Sequence, residues 1–445
     1  MTRRRPFRIL LVLPLIAFGL LQTALVAAAS TQTASSIPVV RHTPSVPIEL
    51  PKQEKDWTVL FYNAADFEGG NPADLFAAGM QTMDNVHVVM LEDTYDGEAT
   101  VWSVEGSPET PELVALEEWG EIDMGDEAAF TRILAYCDEN FPSRRTMVMM
   151  YQHGGGWRGA CWDDHPGNPE AAITYLTPEE MRQSLDSIGG VDALLFTAPC
   201  IMGAIEPVYQ LRHSTDLYIG SEPMSGFGIW TNALPDIAAC LATSPESTVG
   251  VLARSILDAV QRTYDPGKYL SVTPEHAHAL IATPSLTAVA STPSLEALAS
   301  ALDAFSLALI DALPMSVEEI RQARNRSQDF LVAEIVDAFH FAQRCQEIPG
   351  LQAASVALQE ALSQSMTCVL VNEEGYPGSH GLSLYFPFEK HPDPLFCRYY
   401  HYRTDFEEEA AAYRGADLWL LEDTHWDEFL VAFYDRPFDR PHEDE

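Results

Sequence analysis

Two residues in this chain stand where chemistry is usually done, a histidine and a cysteine that each close an apolar run. Met147-Val-Met-Met-Tyr-Gln-His-Gly-Gly-Gly-Trp157 carries His153 straight into three glycines, and Val191-Asp-Ala-Leu-Leu-Phe-Thr-Ala-Pro-Cys200 ends on Cys200. An imidazole beside a thiol is a nucleophile with its base. The thiolate is the reactive species, and both a neighbouring imidazole and a helix amino terminus favour it. With Ile201 to His213 read as helical, Cys200 falls at a strand-to-helix turn and has the second aid as well. The amides of Gly154 and Cys200 are the expected donors to an oxyanion. The chemistry is acyl transfer, most simply amide hydrolysis. The plain alternative is that Cys200 is a small core residue.

Both runs lack polar alternation, as strands covered on both faces do in a parallel sheet. Such sheets place ligands at the carboxyl ends of their strands, where both residues fall. Asp126 caps a helix whose stripe is Phe130, Ile133, Leu134 and Cys137, and it leads into the His153 strand. Thr177-Pro-Glu-Glu180 is a capping box opening a second helix that returns the chain to the Cys200 strand. Strand, helix, strand with short links is a parallel crossover, so the two strands are expected to be neighbours. Trp57 to Asn63 and Val86 to Leu91 read as further buried strands, Thr100 to Val104 as part of a small hairpin, and Leu217 to Glu222 as a strand. Residues 294–313, 317–324 and 329–346 read as helices, 367–371 and 381–386 as strands, and Trp426 to Tyr434 as a closing amphipathic helix.

The chain has 445 residues, 47% apolar and 10% aromatic, enough for a large core. Its formal charge is 26 − 65 = −39, spread along the sequence, which argues against nucleic acid as a partner. Residues 1–29 have the basic start, apolar middle and Ala27-Ala-Ala29 end of a secretory signal, and no membrane association is expected beyond it. Residues 30–55, with prolines at 38, 44, 47 and 51, read as an extended spacer. The fold is expected as a core over 56–230 and a helical and mixed portion over 231–445 that completes the sheet. Seven cysteines allow disulfides in an exported chain and leave at least one thiol over. Cys161 reads as a surface or disulfide thiol.

At Tyr151-Gln-His-Gly-Gly-Gly-Trp157 and Thr197-Ala-Pro-Cys-Ile-Met-Gly-Ala-Ile-Glu206 the sequence resembles the clostripain family of cysteine endopeptidases, and the likeness continues through Leu217 to Trp230 and Gly381 to Pro387. The resemblance implies an α/β caspase-like three-layer sandwich, mostly parallel in its central sheet with helices on both faces. It implies His153 and Cys200 as the catalytic dyad, peptides or proteins as substrates, and no required cofactor, while the signal-like residues 1–29 imply secretion or a periplasmic or envelope location. It also implies substrate-binding positions at Ala198, Ser221 and Glu222. The family's acidic residue two before the cysteine is Ala198 here, so preference for arginine or lysine is not carried over. Glu222 could supply a carboxylate instead, or be a surface or strand-end residue. Pro199 is a second departure, and the two motivate an alternative: a catalytically silent relative kept as a binding or scaffold protein. Some relatives bind calcium, for which Asp163-Asp164 and Asp66 to Asn71 are the candidate loops, although paired aspartates in so acidic a chain are usually just solvated.

Overall fold

The computed structural model describes residues 38–435 apart from 45–49, 51–52, 67–70, 81–82, 96, 108, 167–172, 224, 264–285, 291–292, 331–333, 372–374 and 388–405. The signal-like segment, residues 30–37 of the spacer and Cys397 lie outside the described residues.

Among the described residues the strands are, in chain order, β1 (Val40–His42), β2 (Lys55–Ala65), β3 (Val86–Thr94), β4 (Ala99–Ser107), β5 (Thr110–Gly120), β6 (Ser143–Tyr151), β7 (Ala160–Asp163), β8 (Thr174–Leu176), β9 (Val191–Phe196), β10 (Thr215–Ser221), β11 (Leu286–Ala290), β12 (Ile335–Asp337), β13 (Met366–Leu370) and β14 (Ser383–Tyr385). Ten of them make one sheet in the order β1-β5-β4-β3-β2-β6-β9-β10-β11-β13. The central five, β3, β2, β6, β9 and β10, are parallel.

Alternate residues of β2 explain the sandwich. Leu60 and Tyr62 enter one apolar layer while Val59 and Phe61 enter the other, so the strand needs hydrophobes at every position. The first layer lies under helices Glu127–Asn140, Pro178–Asp186 and Pro293–Asn325; the second lies under Ala73–Gly79, Leu234–Thr243 and Val249–Thr263. Pro293–Asn325 is long and apolar enough to cross a membrane by composition alone, yet its Leu298, Leu302, Phe305, Leu309 and Leu313 are buried in the first layer. It kinks at Ser316, just past Pro314.

Both expected caps are present. Asp126 accepts the Ala128 N–H at 2.8 Å, and Thr177 with Glu180 forms the full capping box. The hairpin around Thr100 exists as β4 and β5 and extends the main sheet.

Three expectations are corrected. The helix read over 201–213 is only Ile205–Gln210, because the N–H groups of Ile201 and Gly203 are taken by the carbonyls of Pro223 (3.1 Å) and Ser221 (2.7 Å). The helix read over 329–346 is Ala338–Cys345, since Ile335 to Asp337 pair with β14 and Asp337 caps the helix by accepting the His340 N–H at 2.6 Å. Within the spacer, Val40–His42 is an edge strand on β5. Arg41 fastens it by donating to buried Glu92 at 2.7 and 3.1 Å.

Candidate active site

Met147 stands opposite Ala193 and Met150 opposite Phe196, so the same register brings His153 and Gly154 beside Pro199 and Cys200 at the carboxyl rim. The approach is very close. A Cβ on Gly154 would lie 2.5 Å from the Cys200 oxygen, 2.7 Å from Pro199 Cβ and 2.9 Å from the Cys200 nitrogen. Only a residue without a side chain lets these two strand ends meet. Pro199, a departure from the family pattern, forms part of that contact.

Backbone strain brackets the pair. Gln152 has φ 141° and Ile201 φ 51°, both in the region that non-glycine residues avoid, and Ile201 is β-branched. Such residues cost about 1–3 kcal/mol each and persist only where neighbours over-determine them. Gln152 is held through its Nε2, which donates to the Trp162 carbonyl at 2.6 Å, and through its Oε1, which accepts the His153 N–H. Ile201 is held by the Pro223 carbonyl.

The glycine loop after His153 folds back as a tight hairpin. Cys161 N–H donates to the His153 carbonyl at 3.0 Å and Gly155 N–H to the Gly159 carbonyl at 2.8 Å. Gly154 lies between these bonds, opposite Ala160, so its own amide stays outside the ladder. Cys161 is fully buried in the first layer, not a surface thiol; no disulfide joins it to another described cysteine, and burial pushes its pKa up.

Cys200 is 6% exposed and His153 half-buried. Cys200 is not at a helix amino terminus, because Ile205–Gln210 begins five residues later. A different donor serves the sulfur: Ser225 N–H points at Sγ from 3.3 Å, and the Ser225 carbonyl lies at 3.5 Å.

Of the three expected substrate contacts, Ala198 is buried in the second layer, and Ser221 ends β10 with its carbonyl bonded to Gly203. Glu222 is not a surface residue, and its Oε1 is buried without a hydrogen-bond partner among the described residues. It is fully buried, and its Oε2 accepts from Ser379 Oγ at 2.5 Å and Gly381 N–H at 3.0 Å. Burial, with Asp337 beside it, raises its pKa well above the carboxylate range.

One strand over, Asp66 and Asp163 of the two acidic loops are not solvated, and Asp93 joins them from the end of β3. Asp66, Asp93 and Asp163 are all buried, with one carboxylate oxygen of each within 4.8 Å of the others. Asp163 accepts the Met124 N–H at 2.7 Å, and His165 Nδ1 pairs with Asp66 at 2.8 Å. Asp93 Oδ2 is buried without a hydrogen-bond partner. Burial and the neighbouring acids push Asp93 up to about 9, and burial pushes Asp163 up to about 7. An all-oxygen donor set with an orphaned carboxylate oxygen fits a hard cation.

Sequence reasoning missed Asp93, Ser225 and Asp337, and also Phe330 and Tyr376, which form one buried cluster with Cys200. Asp93 was findable, since it closes an apolar strand at the same rim as His153. The others reach the site from distant parts of the chain and carry no local signal.

A mostly parallel sheet sandwiched by helices, with a thiol and an imidazole at neighbouring strand ends, is the arrangement of a caspase-like cysteine peptidase. The chain belongs to the clostripain family, whose sequence pattern matches residues 73–432. It is 31% identical to clostripain of Hathewaya histolytica over 137 residues, which cover 27% of this chain and 25% of that protein. Its fold is similar to a secreted C11 cysteine protease from Bacteroides thetaiotaomicron in complex with an irreversible peptide inhibitor, with TM-score 0.56 and 18% identity over 80% of this chain and 99% of that one. It is also similar to an inactive zymogen C11 protease from Parabacteroides distasonis, with TM-score 0.58 and 14% identity over 84% and 99%.

Proposed function

We propose that this protein is a secreted cysteine endopeptidase in which Cys200 is the nucleophile and His153 the general base and acid. The observation that carries the reading is the collision-close packing of Gly154 on Cys200, which keeps the residue after the histidine against the cysteine backbone. His153 takes the Cys200 thiol proton, and the thiolate adds to the scissile carbonyl carbon. The Gly154 and Cys200 amides hold the resulting oxyanion. Protonated His153 then gives its proton to the leaving amine as the C–N bond breaks, leaving a thioester. Water, deprotonated by His153, hydrolyses that thioester and frees the thiol. Secretion rests on the signal-like residues 1–29.

Thiol alkylation and Cys200→Ala should each abolish hydrolysis of a mixed peptide library, and His153→Ala should lower it by at least about 10²-fold. Hydrolysis that survives alkylation and Cys200→Ala overturns the assignment.

We also infer that Asp66, Asp93 and Asp163 hold a divalent cation, with calcium the first candidate. Its part is to neutralise three buried carboxylates. The hairpin carrying Asp163 also carries Cys161, whose amide fixes the His153 carbonyl, so the cation would steady the histidine loop without entering the reaction.

A further inference from the structure

We infer that Arg158 is a positioning residue, which with Glu334 and Glu409 locks the histidine hairpin against the segment that packs on Cys200; this rests on the peptidase reading above and names what holds that same site in register.

Arg158 closes the turn Gly156–Arg158 at the tip of the hairpin. A shift of that tip reaches His153 through the backbone: the Gly155 N–H on the Gly159 carbonyl, the bridge of Gly154 to Ala160, and the Cys161 N–H on the His153 carbonyl. The tip also meets the cysteine side, since a Cβ on Gly156 would lie 3.3 Å from the Ile201 oxygen.

What pins the tip is charge. Arg158 is 5% exposed, and its Nη2 donates to Glu334 at 2.9 Å and to Glu409. Glu334 precedes Ile335, which is clustered on Cys200, and the Glu334 carbonyl takes the Phe386 N–H at 2.8 Å. Glu409 lies on the helix Phe406–Arg414, whose Tyr413 ring stands 5.2 Å from that of Trp157. One guanidinium therefore ties the loop that carries the base to the segment that packs on the nucleophile.

As a stabiliser such a group is inefficient, because the desolvation of buried charges takes back most of what their pairing gives. As a fastener it is precise. The planar fork meets carboxylates only along set directions, whereas the lysine ammonium is a point charge on a flexible stem.

The test is Arg158→Lys, which keeps the charge and loses the fork. Its control is Arg212→Lys. Arg212 is 8% exposed, donates to Glu296 at 2.6 Å and stacks on Tyr209, but stands just before β10, at the rim of the sheet away from the dyad. Folded protein is followed by urea unfolding, active sites are counted with an irreversible thiol-directed peptide inhibitor, and kcat and KM are measured on a peptide that the wild-type chain cleaves. Arg158→Lys should lower kcat per active site by about tenfold or more with KM within about twofold, because displaced reacting groups are felt in the chemical step. Arg212→Lys should keep both within about twofold. Where Arg158→Lys does not fold, Glu334→Gln carries the same comparison; it keeps the shape and an acceptor but not the charge, and should lower kcat by about three- to tenfold. An unchanged kcat per active site, or one lowered equally in the Arg212→Lys control, overturns this inference while leaving the peptidase reading standing. Absence of Cys200-dependent cleavage by the wild-type chain overturns the peptidase reading, and this inference with it.

Discussion

Gly154→Ala is the sharpest probe of how the two strand ends are held together. Ordinary contacts to a Cβ begin at 3.4 Å, and the added methyl would find atoms at 2.5, 2.7 and 2.9 Å, so the strand ends must part by 3.4 − 2.9 = 0.5 Å to 3.4 − 2.5 = 0.9 Å. Two of those atoms belong to the Cys200 backbone and the third to the Pro199 ring, none of which can rotate aside. Overpacking of this kind costs about 1–3 kcal/mol of stability. Misplacing reacting groups by about 1 Å costs on the order of 10²-fold in rate. We therefore expect Gly154→Ala to fold, with a lower urea midpoint, and to lose roughly 30- to 100-fold in kcat/KM. Gly189→Ala is the control. Gly189 has φ +85° and nothing within 4 Å of its Cβ position, so it carries the left-handed strain, about 1–2 kcal/mol, without moving the site. Its kcat/KM should match wild type within about twofold. A folded Gly154→Ala enzyme within about threefold of wild type would refute the claim that this contact positions the dyad.

The acidic cluster predicts a pH-dependent stability. Asp93 and Asp163 are raised in the folded state, to about 9 and about 7, so between roughly pH 4 and those values the folded chain binds more protons than the unfolded one. Stability of the metal-free protein should then fall as pH rises from 5 to 8. Calcium at a hundred times its Kd should add about 2.7 kcal/mol and flatten the slope; a melting temperature at pH 8 indifferent to calcium would sink the site. Burial and Asp337 raise the Glu222 carboxyl, so Glu222→Gln, which keeps a neutral acceptor, should be tolerated better in urea unfolding than Glu222→Ala, which removes the acceptor of the Gly381 N–H and costs about 1–3 kcal/mol. Equal losses from the two variants would overturn that reading. Arg158 is buried between Glu334, at 2.9 Å, and Glu409, so Arg158→Met should destabilise by about 3–5 kcal/mol in the same assay. A loss below about 1 kcal/mol would mean that those carboxylates find other partners.

The helix caps at Asp126 and Thr177, the two-sided burial of β2 and β6, and the adjacency of the histidine and cysteine strands were legible because each follows from local pattern or from a short crossover. The two misread helices share one cause. Ile201 to Gly203 and Ile335 to Asp337 have helical composition, but the Ile201 and Gly203 amides are claimed by the carbonyls of Pro223 and Ser221, the Asp337 amide by that of Gln328, and Ile335 to Asp337 pair with β14, partners that periodicity does not reveal.

By itself the sequence determined a helix-covered parallel sheet and put a thiol and an imidazole at its carboxyl rim, because burial on both faces and chain connectivity are written in neighbouring residues. Only the tertiary structure decided that Ser225 serves the sulfur, that Glu222 turns inward, that Asp93 joins Asp66 and Asp163, and that Phe330 and Tyr376 flank the nucleophile. Those contacts join residues far apart in the chain, and each is set by which donors, acceptors and rings meet through space once the sheet has closed.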